Sequence, residues 1–219
     1  MIRDMSELRI ESIAEPIAES PENVRWALAS VFRADLMDLL PETVEKTRVI
    51  VLDETFLQEF AHVVSEAGIG RRLALSFDPD VIAAMPAAEL AVALRSIWQA
   101  LDDSPYPEGE WQGVRQRLGD DQLADLIGVS TSSLRRYASG ERETPDEVAW
   151  RLHALTRIIA ALSGSYNDYG VRRWFLRPRA QLNGRTPLEV FREVESEDDE
   201  RLQALVELSE ALVGAAVAV

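Results

Sequence analysis

The sequence predicts an all-α protein. Apolar residues recur with the helical period along most of the chain, proline and small polar residues stand where those stripes begin, and Val49-Ile50-Val51 is the only β-branched run. With 219 residues, 47% hydrophobic and 28% charged, the composition is globular, and the length suits one large or two small domains.

Ser20-Pro21 opens a long helix with Val24, Leu28, Val31, Phe32, Leu36, Leu39 and Leu40 in its stripe, ending at Pro41. Val49-Ile50-Val51 is either a short strand or a buried connector. Asp53 caps a helix carrying Phe56, Leu57, Phe60, Val63 and Val64 up to Gly68, and another follows Pro86 with Leu90, Leu94, Ile97 and Leu101 on one face. Residues 102–109 gather turn formers with no apolar period, the composition of a linker. This divides the chain into a helical region 1–104 of unknown role and a remainder that breaks again at Ser163-Gly164, giving 105–164 and 165–219.

Beyond the linker, short helices are expected over 111–118 and 122–127, the second ending at Gly128, which permits a left-handed turn. Ser130 caps a third, running to about Ala138 with Gly140 as terminator. Thr144-Pro145-Asp146-Glu147 reads as a helix start, with Thr144 as N-cap, Pro145 at the first position and Glu147 returning a hydrogen bond. Val148, Leu152, Leu155, Ile159 and Leu162 line the buried side of that helix, and others are expected at about 168–176, 187–193 and 197–213.

The net charge of −15 conceals an asymmetry: residues 1–110 carry 9 basic and 21 acidic groups, 111–192 carry 13 and 9, and 193–219 carry 1 and 8. The cations of the middle block are all arginine, a planar fork of donors suited to phosphate and base edges. The absence of Cys excludes disulfides, thiolate metal sites and Cys nucleophiles. His62 and His153, the only histidines, lack a metal-binding frame, so neither a metal nor a cofactor is expected. Asp78, Asp80, Asp102 and Asp103 stand in turn contexts where capping explains them, and no enzyme is expected. The N-terminus lacks the apolar run of an export signal. The apolar tail from Leu205 is shorter than a membrane span and contains Glu207 and Glu210, so a cytoplasmic, non-membrane protein is expected.

The segment 122–142 has the spacing of two short crossed helices. Ala124 is small where the second helix passes over it, Gly128 makes the turn, and Ile127, Val129, Leu134 and Tyr137 point inward to fix the crossing. Ser130, Thr131, Ser132, Ser133, Arg135, Arg136 and Ser139 then face outward, small or basic, as a surface entering a groove of double-stranded DNA requires. These positions resemble the helix-turn-helix of Xre-type bacterial regulators. An ordinary pair of helices with a solvated polar face is the plainer reading. A domain of charge +4 between acidic flanks attracts DNA modestly, so binding calls for two copies side by side in a homodimer.

Further on, Trp174-Phe175-Leu176-Arg177-Pro178 and the run Leu182 to Phe191 form a helix end, a turn and a new helix start: Trp174 and Leu182 anchor, Pro178 stops, Gly184 turns, and Thr186-Pro187 restarts. With the preceding helix-turn-helix, this pattern resembles the toxin-binding domain of Xre/MbcA/ParS antitoxins, over roughly 111–214. Phe175-Leu176 replaces the usual Leu-Arg and Asn183 the first of two glycines; Arg172, Arg173 and Arg177 are close enough to substitute for the arginine missing at Leu176. The resemblance says nothing of residues 1–104.

The resemblance implies an antitoxin of a type II toxin-antitoxin system that represses its own operon and holds a RES-type, NAD-consuming toxin inactive. Arg172, Arg173, Trp174, Arg177, Arg185, Leu212 and Val213 are the toxin-binding residues it implies, and the region 200–219 would obstruct the toxin's pocket. That C-terminal stripe, with Leu202, Leu205, Val206, Leu208, Leu212 and Val213, equally suits a core helix. The acidic run 193–200 is either a solvated helix start with Ser196 as cap or an attraction for a basic toxin surface. A solitary helix-turn-helix regulator and a protein-interaction module without DNA binding are the alternatives.

Overall fold

The computed structural model describes residues 8–71 and 77–216, with side chains as far as Ala211. The fold is all-α: helices account for about two thirds of the chain, beside one two-stranded sheet. Among the described residues there are twelve α-helices, and none is long and apolar enough to cross a membrane. Contacts divide the chain into two units, one of residues 1–35 and 39–104, the other of 36–38 and 105–219.

The first unit is built around a parallel pair, β1 (Arg9–Ile13) and β2 (Val49–Leu52), with a register irregularity at Glu11. Parallel strands need a long crossover, supplied by α1 (Pro21–Leu36) and α2 (Glu42–Thr47). Val49-Ile50-Val51 is therefore a strand, its partner being a segment too polar to read as one. The first helix stops short of Pro41: it ends at Leu36, and Asp38 turns the chain at φ 57°, while Leu39 and Leu40 stay buried. The unit continues with α3 (Glu54–Glu66), capped by Asp53, then α4 (Pro79–Ala84), capped by Asp78, and α5 (Ala87–Asp102). Arg33 on α1 meets Asp102 on α5 at 2.5 Å, and Trp26 meets Trp98 with ring centroids 5.0 Å apart.

The second unit contains α6 (Pro107–Leu118), α7 (Asp120–Ile127), α8 (Thr131–Ala138), α9 (Asp146–Ser163), α10 (Asp168–Leu176), α11 (Pro187–Arg192) and α12 (Glu200–Ala216). One hydrophobic core runs from Trp111 to Val206, so α7, α8 and the C-terminal helices share it. The central element is α9, buried on most of its surface and packed against α6, α7, α10 and α12. Leu202, Leu205, Val206 and Ser209 of α12 are buried, which makes its first three turns a core helix.

Two caps differ from expectation. Thr144 makes no side-chain cap to α9; its hydroxyl instead accepts a hydrogen bond from Trp111 Nε1 at 3.0 Å, because the indole N–H enters the core and needs an acceptor. At α12 the capping side chain is Asp199 and not Ser196: its carboxylate accepts from the backbone N–H of Arg201 at 2.9 Å and of Glu195 at 3.0 Å. Thr186 and Glu189 form a reciprocal capping box at α11.

Arg151 on α9 is 9% exposed. Its guanidinium donates to the carbonyls of Val194 at 2.7 Å, Leu126 at 3.1 Å and Phe191 at 3.1 Å. Leu126 and Phe191 lie in the last turns of α7 and α11, where carbonyls lack partners and the helix dipole favours a cation. Arg151→Ala is expected to destabilise this unit by about 3 kcal/mol, since buried hydrogen bonds to a charged group are lost and helix-end carbonyls are left unpaired. Denaturant unfolding followed by circular dichroism measures this, and a change below about 1 kcal/mol contradicts it.

Candidate nucleic-acid interface

The turn between α7 and α8 is set by Gly128 at φ 82°, ψ 30°, whose N–H bonds the Ala124 carbonyl at 2.9 Å. Ala124, Ile127, Leu134 and Tyr137 are buried and Val129 is packed against the core, so the apolar side of both helices is anchored. Ser130 caps α8 by accepting from the Ser133 N–H at 3.1 Å, and its hydroxyl lies 3.0 Å from those of both Ser132 and Ser133.

The outward side carries Arg135 and Arg136, with side chains 66% and 59% exposed. Arg135 Nε donates to Asp120 at 2.8 Å, and its two terminal nitrogens have no partner among the described residues. Asp120 also accepts from Arg115 Nε at 2.9 Å, and these two guanidinium groups, Arg115 first, hold its carboxyl below the usual carboxylate range. Among the described residues the Arg136 guanidinium has only a long contact with Glu141, at 3.9 Å. Ser132 and Ser139 are exposed, Thr131 and Ser133 partly so, and the Ser139 hydroxyl donates to the Arg136 carbonyl at 3.3 Å. Ser132, Arg135, Arg136 and Ser139 are thus exposed, Thr131 and Ser133 are half-buried, and the Ser130 hydroxyl is engaged in capping.

A second arginine-rich surface lies on α10. Arg172 Nη1 donates to the Arg117 carbonyl at 2.9 Å, closing the end of α6, so it acts within the fold. Trp174 is 1% exposed, in edge contact with Phe175, with the Arg179 guanidinium over its ring; it anchors the core and offers nothing to a surface. Arg185 is bound through both terminal nitrogens to Glu193 at 2.9 and 2.7 Å and to the Glu189 carbonyl at 3.1 Å. Arg173 and Arg177 are exposed. The side chains of Leu212 and Val213 lie outside the described residues.

Sequence reasoning missed Tyr169 and passed over Leu176 as a contact, which are 60% and 55% exposed. Arg173 donates to the Tyr169 hydroxyl at 2.7 Å and stacks on its ring. Tyr169, Arg173 and Leu176 stand at i, i+4 and i+7, a helical spacing that marks one face. Tyr and Arg beside an apolar side chain is the composition in which protein-binding energy concentrates.

Among the described residues no three His, Asp or Glu side chains converge as a metal site. No protein-family model, curated protein or solved structure matches this chain.

Asp120, Glu189, Glu193 and Asp199 all have carboxyls held below their ordinary values by partners inside the fold, chiefly Arg115, Thr186, Arg185 and Arg201 respectively. As pH falls, the unfolded chain therefore binds protons first. Their stabilisation is complete above about pH 5 and is lost progressively below about pH 4. Melting temperature against pH is expected to fall on this acid limb, and Asp199→Asn to flatten it; an unchanged limb in that variant contradicts the assignment.

Proposed function

We propose that this chain is a DNA-binding antitoxin in which α8 enters the major groove of an operator and a homodimer presents two copies of α8 to successive helical turns. The observation that carries the DNA part is the two-sidedness of α8: Leu134 and Tyr137 buried, Arg135 and Arg136 more than half exposed. Arg136, with its weak internal contact, and the free terminal nitrogens of Arg135 are the donors for phosphates and base edges.

The toxin part rests on the resemblance carried by 174–178 and 182–191, and the exposed strip Tyr169, Arg173, Leu176 and Arg177 supports it with a surface suited to a protein partner. In this reading the partner is a RES-type toxin that consumes NAD. The antitoxin has no catalytic role and no cofactor, and acts in the cytoplasm. Trp174, buried, and Arg172, bound to the end of α6, support this surface from behind, while Arg185 stays partly exposed beside Glu193.

Asp120 on Arg135 favours a second reading, a helix-turn-helix kept as a scaffold for protein interaction, because a carboxylate facing phosphate repels it.

Fluorescence anisotropy on the DNA upstream of the chain's own gene, over a series of salt concentrations, separates the two. On the DNA reading, affinity falls steeply with salt, Arg135→Ala and Arg136→Ala each weaken it by about tenfold and reduce the salt slope by about one, and Asp120→Asn tightens it. No sequence-specific binding at low salt leaves the scaffold reading.

Trp174→Ala is expected to cost about 3–5 kcal/mol of stability, whereas Tyr169→Ala leaves stability within about 0.5 kcal/mol and weakens capture of the co-expressed toxin. Intact capture by folded Tyr169→Ala excludes that face.

A further inference from the structure

Within the second unit, the first turn of α6, the last turn of α8 and the loop that follows it enclose an open hollow of about 570 Å³. That is the size of a small-molecule site. Its aromatic wall is formed by Trp111 and Tyr137, whose rings are inclined by only 18° with centroids 6.0 Å apart. The Trp111–Thr144 hydrogen bond of 3.0 Å ties the loop to this wall.

The charges around the hollow favour a cation. Glu108 and Glu143 line it, and neither has an ion-pair partner among the described residues. Residues 137–140, at the carbonyl end of α8, line it too, but so do Pro107 and Glu108 in the first turn of α6, so the two helix dipoles oppose each other and the negative charge comes from the two carboxylates. Aromatic faces attract cations through their quadrupole. The chain itself supplies one: the exposed Arg142 guanidinium stands 5.2 Å from the Tyr137 ring centroid, with no carboxylate partner among the described residues. The Tyr137 ring is 7% exposed with the Arg142 guanidinium over it, so its outer face is reached only when that exposed side chain moves aside.

We propose that this hollow binds a small planar organic cation, an amidinium or guanidinium, on the Tyr137 ring in the place of Arg142, with Glu108 and Glu143 as counter-charges. Arg142 is then an internal competitor, and its removal strengthens binding. The site stands whether or not α8 meets DNA.

Benzamidine and its uncharged analogue benzamide are the probes, titrated into the full chain by calorimetry with the Trp111 indole N–H resonance as a local reporter. Benzamidine is expected to saturate in the millimolar range and to bind about tenfold more tightly than benzamide. Arg142→Ala tightens it about two- to fivefold, and Glu108→Gln with Glu143→Gln weakens it at least about fivefold. Trp111 and Tyr137 remain in every variant, so the core is untouched. Equal affinity for the two probes, no saturation, or weaker binding by Arg142→Ala overturns the proposal.

Discussion

Arg151 enters the core of the second unit with no ion pair to a carboxylate among the described residues, although the charge of Glu147 one turn earlier reaches it. A buried cation is costly, and here helix ends offset that cost: the carbonyls of Leu126 and Phe191 close α7 and α11, and Val194 follows the second of them. The rings of Trp150 and Phe191 add faces about 5 Å from the guanidinium. Desolvation lowers its pKa, yet a guanidinium starts so high that it keeps its proton. Lysine lacks the fork needed to bridge carbonyls of separate elements. This one side chain ties the ends of α7 and α11 to α9, within the hydrophobic core that 105–164 and 165–219 share.

The outward arginines depend on that framework. The apolar sides of α7 and α8 are fixed by Ala124, Ile127, Leu134 and Tyr137, so Arg135 and Arg136 have one side left to them. Asp120 then sets the chemistry of the face. By holding both Arg115 and Arg135 it orders two guanidinium groups, and it also puts a negative charge beside any approaching phosphate. The face is mixed in sign, in keeping with a chain whose total charge is −15.

Arginine has three uses in the second unit, and the distinction is physical. Arg151, Arg172 and Arg185 complete hydrogen bonding inside the fold, to carbonyls or carboxylates. Arg142, Arg173 and Arg179 lie against aromatic rings. Arg136 and Arg177 are exposed and have no strong internal partner among the described residues. An arginine count tells none of these apart, because the difference lies in which acceptors the fold brings within reach.

Local chemistry was legible in the chain wherever it decides structure locally. Ser130, Thr186 and Asp53 cap because a short acceptor can reach the backbone N–H of the next turn, and Gly128 turns because φ near +82° excludes most side chains. The helical stripes likewise identified α3, α5, α8, α9 and α10. What escaped was every feature whose partner is distant. The polar strand β1 exists because β2 lies beside it, and Thr144 gave up its cap for an indole 33 residues away. The sequence by itself determined most of the helices, several of their caps and the two-sided pattern of α8, since these follow from periodicity and nearest-neighbour hydrogen bonding. Tertiary structure alone decided which arginines face solvent and which are bound within, because a side chain's access to water depends on the packing of helices far apart in the chain.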